Sequence, residues 1–446
     1  MFNLNQMRRR LLSEYPLSLL SGYLAMAGNI IAQVVLVPVY LTTLGAEGFG
    51  LLVLMLAMIN YAVVGIGWLN GGLQRILGEA FGTRNDAGFV QAIDVGKIIF
   101  LAYGAAAALL GIGVVAFLDR SQVPLGAAIV AGFFLVASYE SSIERLALTA
   151  AARLAAVNLL QFVQVLAYAI SVVFVLRAGG GLFGVFACQL GSVLVARVLL
   201  PLCWQGTRPI AKHMIGTLRP LLARLTGRMG GGYFLSVALI VSLQSDVLVI
   251  GWLGGAETAA RYVLLWKIAE VGVTALWRIS ETWSPILVRL DAVDAHAAIK
   301  RQYRHVAALL LVTAIPAGLA YALLGPWITM LWLGAEHAPK DPLGFMLAGT
   351  AIVWVGLARL PSILSYSLAR FRVWNGIACI EVAARLALTV ALYPRFGYLA
   401  PLVALNVVHL CGIAAAYQWA GWRLLAGRAR DGRPRLGVNF DQAGPN

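Results

Sequence analysis

Apolar stretches of membrane-spanning length recur along this chain and are separated by short polar stretches. A helix that crosses the hydrocarbon core of a bilayer needs ~20 mostly apolar residues. The pattern lacks the alternating ten-residue segments that are typical of membrane β-barrels. The sequence therefore predicts an all-α integral membrane protein with about twelve transmembrane helices. They cover residues 17–40, 48–70, 96–118, 123–146, 154–176, 181–203, 229–253, 260–288, 305–326, 343–367, 373–393 and 397–422.

A basic stretch in the middle of the chain leaves six predicted helices on either side. A short match between the halves supports a repeat, because Leu44-Gly45 to Glu47 resembles Leu253-Gly254 to Glu257. Repeated bundles with a binding site between them are a common transporter plan. We therefore predict two six-helix lobes around a central cavity. The predicted parts are a cytoplasmic N-terminus (1–16), an N-lobe (17–203), a cytoplasmic linker (204–228), a C-lobe (229–426) and a disordered cytoplasmic tail (427–446).

Composition and charge agree with a membrane protein. The chain is 61% hydrophobic and 12% charged, whereas soluble proteins are about a quarter charged. If the N-terminus is cytoplasmic, 24 of the 34 Lys and Arg residues lie on that side, five lie outside and five lie within spans. This asymmetry is the positive-inside pattern, so the net charge of +15 indicates topology and not a nucleic-acid partner. We predict a multi-pass protein of the cell inner membrane with both termini in the cytoplasm.

No feature of the sequence predicts an enzyme. The four cysteines are scattered singly, without the spacing of a metal or redox site. The loops are too short to fold as a separate catalytic domain, and His409 is the only histidine within a predicted span. We therefore predict no catalytic residue, no metal and no cofactor.

The segment "WKIAEVGVTALWRISETW" places two basic and two acidic residues inside the predicted eighth helix. At 100° per residue, Lys267, Glu270, Arg278 and Glu281 share a sector of about 80° and span ~21 Å along the axis. An ionised group at the bilayer centre costs roughly 2.5–3.5 kcal/mol on insertion scales. Two interpretations remain open. The four charged side chains either form a row that faces a water-filled cavity, or they form structural ion pairs at i, i+3 between packed helices.

Other charged residues lie within the second group of spans. Asp246 is expected at the depth of Lys267, where it either pairs with that residue or couples transport to a proton or sodium ion. Glu381 and Arg385 have the favourable i, i+4 order, and Arg359 lies in the cytoplasmic half of its span. Under the cavity interpretation, the residues that bind an anionic group such as a phosphate are Arg278, Lys267, Arg385 and Arg359. The charge partners or coupling groups are Glu270, Glu281, Asp246 and Glu381.

Amide side chains form two further pairs on helical faces. Asn29 and Gln33 are spaced i, i+4, and Gln161 and Gln164 are spaced i, i+3. Such amides either bind sugar hydroxyls or hydrogen-bond neighbouring helices.

Three segments carry a family resemblance: "VPVYLTTLGAEGFGLLVL", "QSDVLVIGWLGGAETAARYVLL" and "WSPILVRL". They resemble the polysaccharide (Wzx-like) flippases of the multidrug/oligosaccharidyl-lipid/polysaccharide exporter superfamily. The resemblance implies a two-lobed bundle that moves a polyprenyl-diphosphate-linked oligosaccharide between leaflets, with membrane lipids, a polymerase and glycosyltransferases as partners. An alternative is a cation-coupled small-molecule or multidrug exporter of the same superfamily. Such a pump should carry unpaired acidic residues in its cavity, whereas each acid of the eighth and eleventh predicted helices has a basic neighbour.

Overall fold

Helices make up almost all of the described chain in this computed structural model. The structure describes residues 4–83, 85–118, 123–151, 153–204, 218–292, 295–368 and 372–427. This part of the chain contains no β-strand, and nine of its helices are long and apolar enough to cross a membrane. The predicted all-helical membrane fold is therefore confirmed. The α-helices are α1 (Leu4–Gly82), α2 (Asp86–Leu118), α3 (Leu125–Ala150), α4 (Leu154–Arg177), α5 (Gly181–Leu199), α6 (Leu218–Ala292), α7 (His296–His337), α8 (Pro342–Ser367), α9 (Arg372–Phe396), α10 (Ala400–Val408) and α11 (Ala414–Gly427).

Glycines divide the longest helical segments. Helix α1 breaks at Gly45, with φ of 72°, and α6 breaks at Gly255, with φ of 80°. This left-handed conformation is readily available only to glycine. Gly397, with φ of 54°, separates α9 from α10. When these three segments are each divided at their glycine, the nine membrane-length segments of the described chain approach the predicted number of about twelve. The predicted loop 71–95 is mostly helical, because α1 continues to Gly82 and α2 begins at Asp86.

The two halves of the chain repeat the same local structure. Gly45 and Gly255 are 210 positions apart, and each begins the tripeptide Gly-Ala-Glu. The predicted register, which matched Gly45 with Gly254, was wrong by one residue. Helices α2 and α7 begin 210 positions apart, and α3 and α8 begin and end 217 positions apart.

The lobe boundaries themselves stay a prediction. Residues 1–3 of the predicted N-terminus, 205–217 of the linker and 428–446 of the tail lie outside the described residues. The remaining linker residues after position 217 belong to α6.

The halves pack tightly at the end of the bundle that holds the glycine breaks. A Cβ atom added to Gly50 would overlap the backbone carbonyl of Ala256, so only glycine permits this approach of α1 and α6. Nearby, Trp332 Nε1 donates a hydrogen bond of 2.7 Å to the carbonyl of Val34 in the other half. We call this region the closed end. By the positive-inside prediction it is the outer end.

Candidate functional site

The second arm of α6 is the part of the helix after the break at Gly255. Its four residues Lys267, Glu270, Arg278 and Glu281 lie on one face, opposite the packed face. Between Leu265 and Trp283, the buried residues lie about 160–240° around the axis from Lys267, which places them opposite the charged sector. They are Leu265, Ala269, Val273, Leu276, Ser280 and Trp283, each no more than 4% exposed. The charged sector predicted from the helical spacing therefore points away from the core of the second half.

Each predicted pair on this face forms an ion pair. Lys267 Nζ lies 2.9 Å from Glu270 Oε2, and the side chain of Glu270 is 43% exposed. Arg278 Nη1 lies 3.1 Å from Glu281 Oε2. The two pairs are separated by eleven residues, or ~16 Å along the helix.

A second arginine joins the pair that lies farther from the closed end. Arg359 Nη2 on α8 donates to Glu281 Oε1 at 2.7 Å. Its guanidinium lies 4.7 Å from the centroid of the Trp277 ring, a cation–π distance. Trp277 is fixed in turn by a 3.2 Å hydrogen bond from its Nε1 to the carbonyl of Val355. Arg278, Glu281 and Arg359 therefore form a cluster, here called the Arg–Glu–Arg cluster, with one more positive than negative charge.

The Arg–Glu–Arg cluster faces the first half of the chain. Arg278 Nε donates to the thioether sulfur of Met26 on α1, at 3.2 Å. The Arg278 side chain is nevertheless 52% exposed, which leaves room for a ligand beside it. Its position between the halves is the place where repeated transporter bundles bind their cargo.

Asp246 pairs with Arg385 rather than with Lys267, so the predicted Asp246–Lys267 pair was wrong. The Arg385 guanidinium contacts the Asp246 carboxylate, and Tyr262 donates to the same carboxylate oxygen at 3.0 Å. Lys267 turns instead to Glu270, its neighbour at i, i+3. A buried carboxylate is costly unless it is paired and hydrogen-bonded. Arg385 and Tyr262 together stabilise the Asp246 carboxylate better than Lys267 would, because Lys267 already pairs with Glu270.

Arg385 lies in the core of the second half. It is 4% exposed, and its Nη1 lies 3.8 Å from Glu381, the predicted i, i+4 partner. Tyr262, which shares Asp246 with Arg385, is sixteen residues from Arg278 on the same arm, or ~24 Å. In this conformation Arg385 is therefore remote from the Arg–Glu–Arg cluster, although the sequence placed both in one binding set.

Glu381 connects Arg385 to two further buried groups. Tyr417 donates to its carboxylate, and His409 Nε2 lies 3.8 Å from it. His409 is 2% exposed, and its Nδ1 lies 2.9 Å from the carbonyl of Leu405. Asp246, Arg385, Glu381, Tyr417 and His409 form a continuous polar network, which we call the buried network.

The first half contains an ionic cluster that sequence reasoning did not predict. Lys97 on α2 lies 2.5 Å from Glu144 and 3.9 Å from Glu140 on α3, and Arg197 on α5 contacts Glu140. Arg197 therefore has an acidic partner inside the lobe. The i, i+4 spacing of the two glutamates was the available signal.

Three of the four predicted amides have structural partners. Gln33 donates to Asn29 at 2.6 Å, and Arg145 donates to the side-chain oxygen of Gln164. Gln161 is exposed. Packing between helices therefore accounts for Gln164, while a role in binding sugar stays a prediction for the other three.

The donor sets in the described part of the chain do not suit a metal ion. No group of three or more His, Cys, Asp or Glu residues with a geometry that could hold a metal ion is found there. The four cysteines, all described, are unpaired.

Comparison with known proteins shows similarity in structure but not in sequence. No protein-family model and no curated protein sequence matches the chain. The fold is similar to the inward-facing conformation of a multidrug resistance MATE family transporter of the MOP superfamily, with a TM-score of 0.67 and 13% identity over 92% of this chain and 96% of the other. It is also similar to an outward-facing structure of such a transporter, with a TM-score of 0.64 and 12% identity over 93% and 95% of the two chains.

A third similar structure is a variant of the Vibrio cholerae MATE transporter VcmN. Its TM-score is 0.61, with 16% identity over 93% of this chain and 97% of the other. These similarities show that the chain has the fold of MATE transporters.

Proposed function

We propose that this MATE-fold chain is a flippase that moves a polyprenyl-diphosphate-linked oligosaccharide from the inner to the outer leaflet of the cell inner membrane. The observation that carries the proposal is the excess positive charge of the Arg–Glu–Arg cluster, placed between the two halves. A diphosphate that leaves water needs charged donors to replace its hydration. Arginine suits this role because it stays charged and its planar fork matches phosphate oxygens.

The geometry supports a binding step in which the cargo competes with Glu281. That carboxylate accepts from both Arg278 and Arg359 when no cargo is bound, which keeps the two arginines close together. A diphosphate has more acceptor oxygens than the Glu281 carboxylate, so it can accept hydrogen bonds from both guanidinium groups in place of Glu281. Lys267 then offers a second cationic position ~16 Å farther along the same face. Outward movement of an anion also follows an inside-negative membrane potential, by about 2.3 kcal/mol per charge per 100 mV.

A second candidate is export of small molecules coupled to a cation. The named structural neighbours are multidrug transporters, and this similarity favours small-molecule export more directly than it favours a flippase. The buried network supplies acids for coupling, because Asp246 and Glu381 both pair with the same arginine, Arg385. The excess of positive charge at the Arg–Glu–Arg cluster argues against a cationic drug at that position.

Complementation separates the two candidates. The gene is expressed in strains that each lack one known flippase, and in a strain that lacks its multidrug exporters. We expect a surface polymer (O-antigen, capsule or exopolysaccharide) to return in one flippase strain, and Arg278→Glu to abolish it while Arg261→Glu does not. Restored drug resistance without any restored polymer would establish the second candidate instead.

The proposed function also sets the cellular context. The protein is placed in the inner membrane with both termini in the cytoplasm, where the lipid-linked cargo is assembled. Its partners are then the glycosyltransferases that supply the cargo and the polymerase that uses it, and it performs no covalent chemistry itself.

A further inference from the structure

The second half contains an apolar cavity that the proposed transport site does not use. Its volume is about 390 Å³, within the ~300–1,000 Å³ range of small-molecule pockets. It lies between α7, α8 and α11, on the side of the bundle away from the closed end. Aromatic side chains provide much of its wall: Tyr303, Trp354, Tyr417 and Trp422.

The internal repeat explains why this cavity exists. The ionic cluster of the first half uses Lys97 of α2 and Glu140 of α3. Their counterparts, at offsets of 210 and 217, are Ala307 and Leu357, and both line the cavity. The space that charged side chains fill in the first half is therefore left open in the second.

Arg197, the third charged position considered in the ionic cluster, also has an apolar counterpart in the second half. It lies sixteen residues after Gly181, whose φ is 55°, and Ile413 lies sixteen residues after Gly397, whose φ is 54°. The π-helical turn His409–Ile413 shifts the register by about one residue. The neighbouring Ala414 and Ala415 line the cavity. A third charged position of the first half thus corresponds to small apolar residues here.

The cavity reaches the outer surface of the bundle. Leu311 and Trp422 line it and are also 44% and 38% exposed. The adjacent surface of α7 is a band of exposed apolar residues that is suited to lipid. It includes Leu309, Val312, Ile315 and Leu319.

Two exposed arginines, Arg304 and Arg423, follow the lining residues Tyr303 and Trp422 directly in sequence, and each lies over a tryptophan ring. The guanidinium of Arg304 lies 5.8 Å from the ring centroid of Trp422, and that of Arg423 lies 4.9 Å from that of Trp419. Inside, Trp354 lines the cavity, and its buried Nε1 has no hydrogen-bond acceptor among the described residues. The surface therefore offers an apolar slot, a lone N–H donor and two cations together.

We propose that this cavity binds one acyl chain of an anionic membrane phospholipid, with the headgroup at Arg304 and Arg423. The apolar wall takes the chain, and the two arginines select a negatively charged headgroup at the inner-leaflet interface. Basic residues near a membrane surface attract anionic lipid, and the Trp354 N–H can donate to an ester carbonyl. The site does not depend on which cargo the protein carries.

Fluorescence quenching by lipids with brominated acyl chains tests the proposal on the full-length protein in bilayers. Trp354 is half-buried in the cavity wall, whereas Trp252 is 80% exposed. The quenching that is lost in Trp354→Phe therefore reports the cavity, and the quenching lost in Trp252→Phe reports ordinary lipid contact. We expect brominated phosphatidylglycerol to quench Trp354 at a roughly tenfold lower mole fraction than brominated phosphatidylcholine.

Matched variants separate the slot from the headgroup site. Ala307→Phe fills the cavity and should abolish quenching of Trp354, while Ala308→Phe, on the exposed neighbour, should not. Arg304→Gln with Arg423→Gln should remove the preference for phosphatidylglycerol, and Arg395→Gln at the opposite end should preserve it. Equal quenching by both lipids, unchanged quenching in Ala307→Phe, or quenching displaced only by a polyprenyl phosphate would overturn the proposal.

Discussion

Arg278 in the second half of the chain donates a hydrogen bond to the sulfur of Met26 in the first half, across 252 positions of sequence. The contact places a half-exposed guanidinium between the two repeats. Because Arg359 shares the carboxylate of Glu281 with it, the contact also places a net positive charge there. The proposed transport mechanism depends on this arrangement.

Glu281→Gln should change the affinity of the Arg–Glu–Arg cluster for anions. Without the carboxylate, Arg278 and Arg359 lose their shared partner and gain net charge, so diphosphate binding should tighten several-fold. Release should slow, and export should fall although binding improves. Equilibrium binding and export rate, measured on the same variant, check both effects.

Glu270→Gln is the matched control for that variant, because it removes the carboxylate of the other ion pair on the same helix. It should affect initial binding less than Glu281→Gln does. If the two variants bind a diphosphate equally well, Glu281 is not the group that the cargo displaces.

Arg385→Gln should destabilise the protein strongly. It leaves Asp246 and Glu381 buried without their shared cation, and breaking a buried ion pair costs about 3–5 kcal/mol. Thermal unfolding in detergent measures the loss. The double variant Asp246→Asn with Arg385→Gln should recover part of it.

Arg261→Gln serves as the control for this prediction. Arg261 pairs with Glu257 at 2.7 Å, but both side chains are more than half exposed. Exposed ion pairs contribute about 0–1 kcal/mol, so the unfolding temperature should hardly change. An equal loss in both variants would show that the buried network is not a major source of stability.

Gly50→Val should force the halves apart at the closed end. The added side chain would overlap the Ala256 carbonyl, which cannot move without displacing the backbone of α6. Spin labels at the exposed positions Thr42 and Arg261 should report a longer distance across this end. Gly111→Val is the control, since a Cβ at Gly111 has no heavy atom within 4 Å.

The sequence predicted the helices and the charged face of α6 because both depend on local periodicity. Apolar length sets the number of spans, and the eleven-residue spacing of the two charged pairs keeps them aligned. The glycine turns were also found, although their register was wrong by one residue. The shared tripeptide Gly-Ala-Glu and the backbone angles of Gly45 and Gly255 together establish the correct match.

The partners of the charged groups could not be predicted, because they come from distant parts of the chain. Asp246 and Arg385 are 139 positions apart, and Glu281 and Arg359 are 78 apart. A helical wheel shows which face carries a charge, but it does not show which helix packs there. The cavity near Ala307 was missed for the same reason, since it depends on the packing of three helices.

Binding of a polyprenyl diphosphate to the purified protein tests the central claim most directly. Arg278→Gln and Arg359→Gln should each weaken binding by ~10-fold or more, because each removes a charge-assisted hydrogen bond to phosphate. Arg261→Gln and Arg395→Gln, which lie elsewhere in the bundle, should leave the affinity unchanged. Affinity that is the same in all four variants would contradict the claim that the Arg–Glu–Arg cluster binds the cargo.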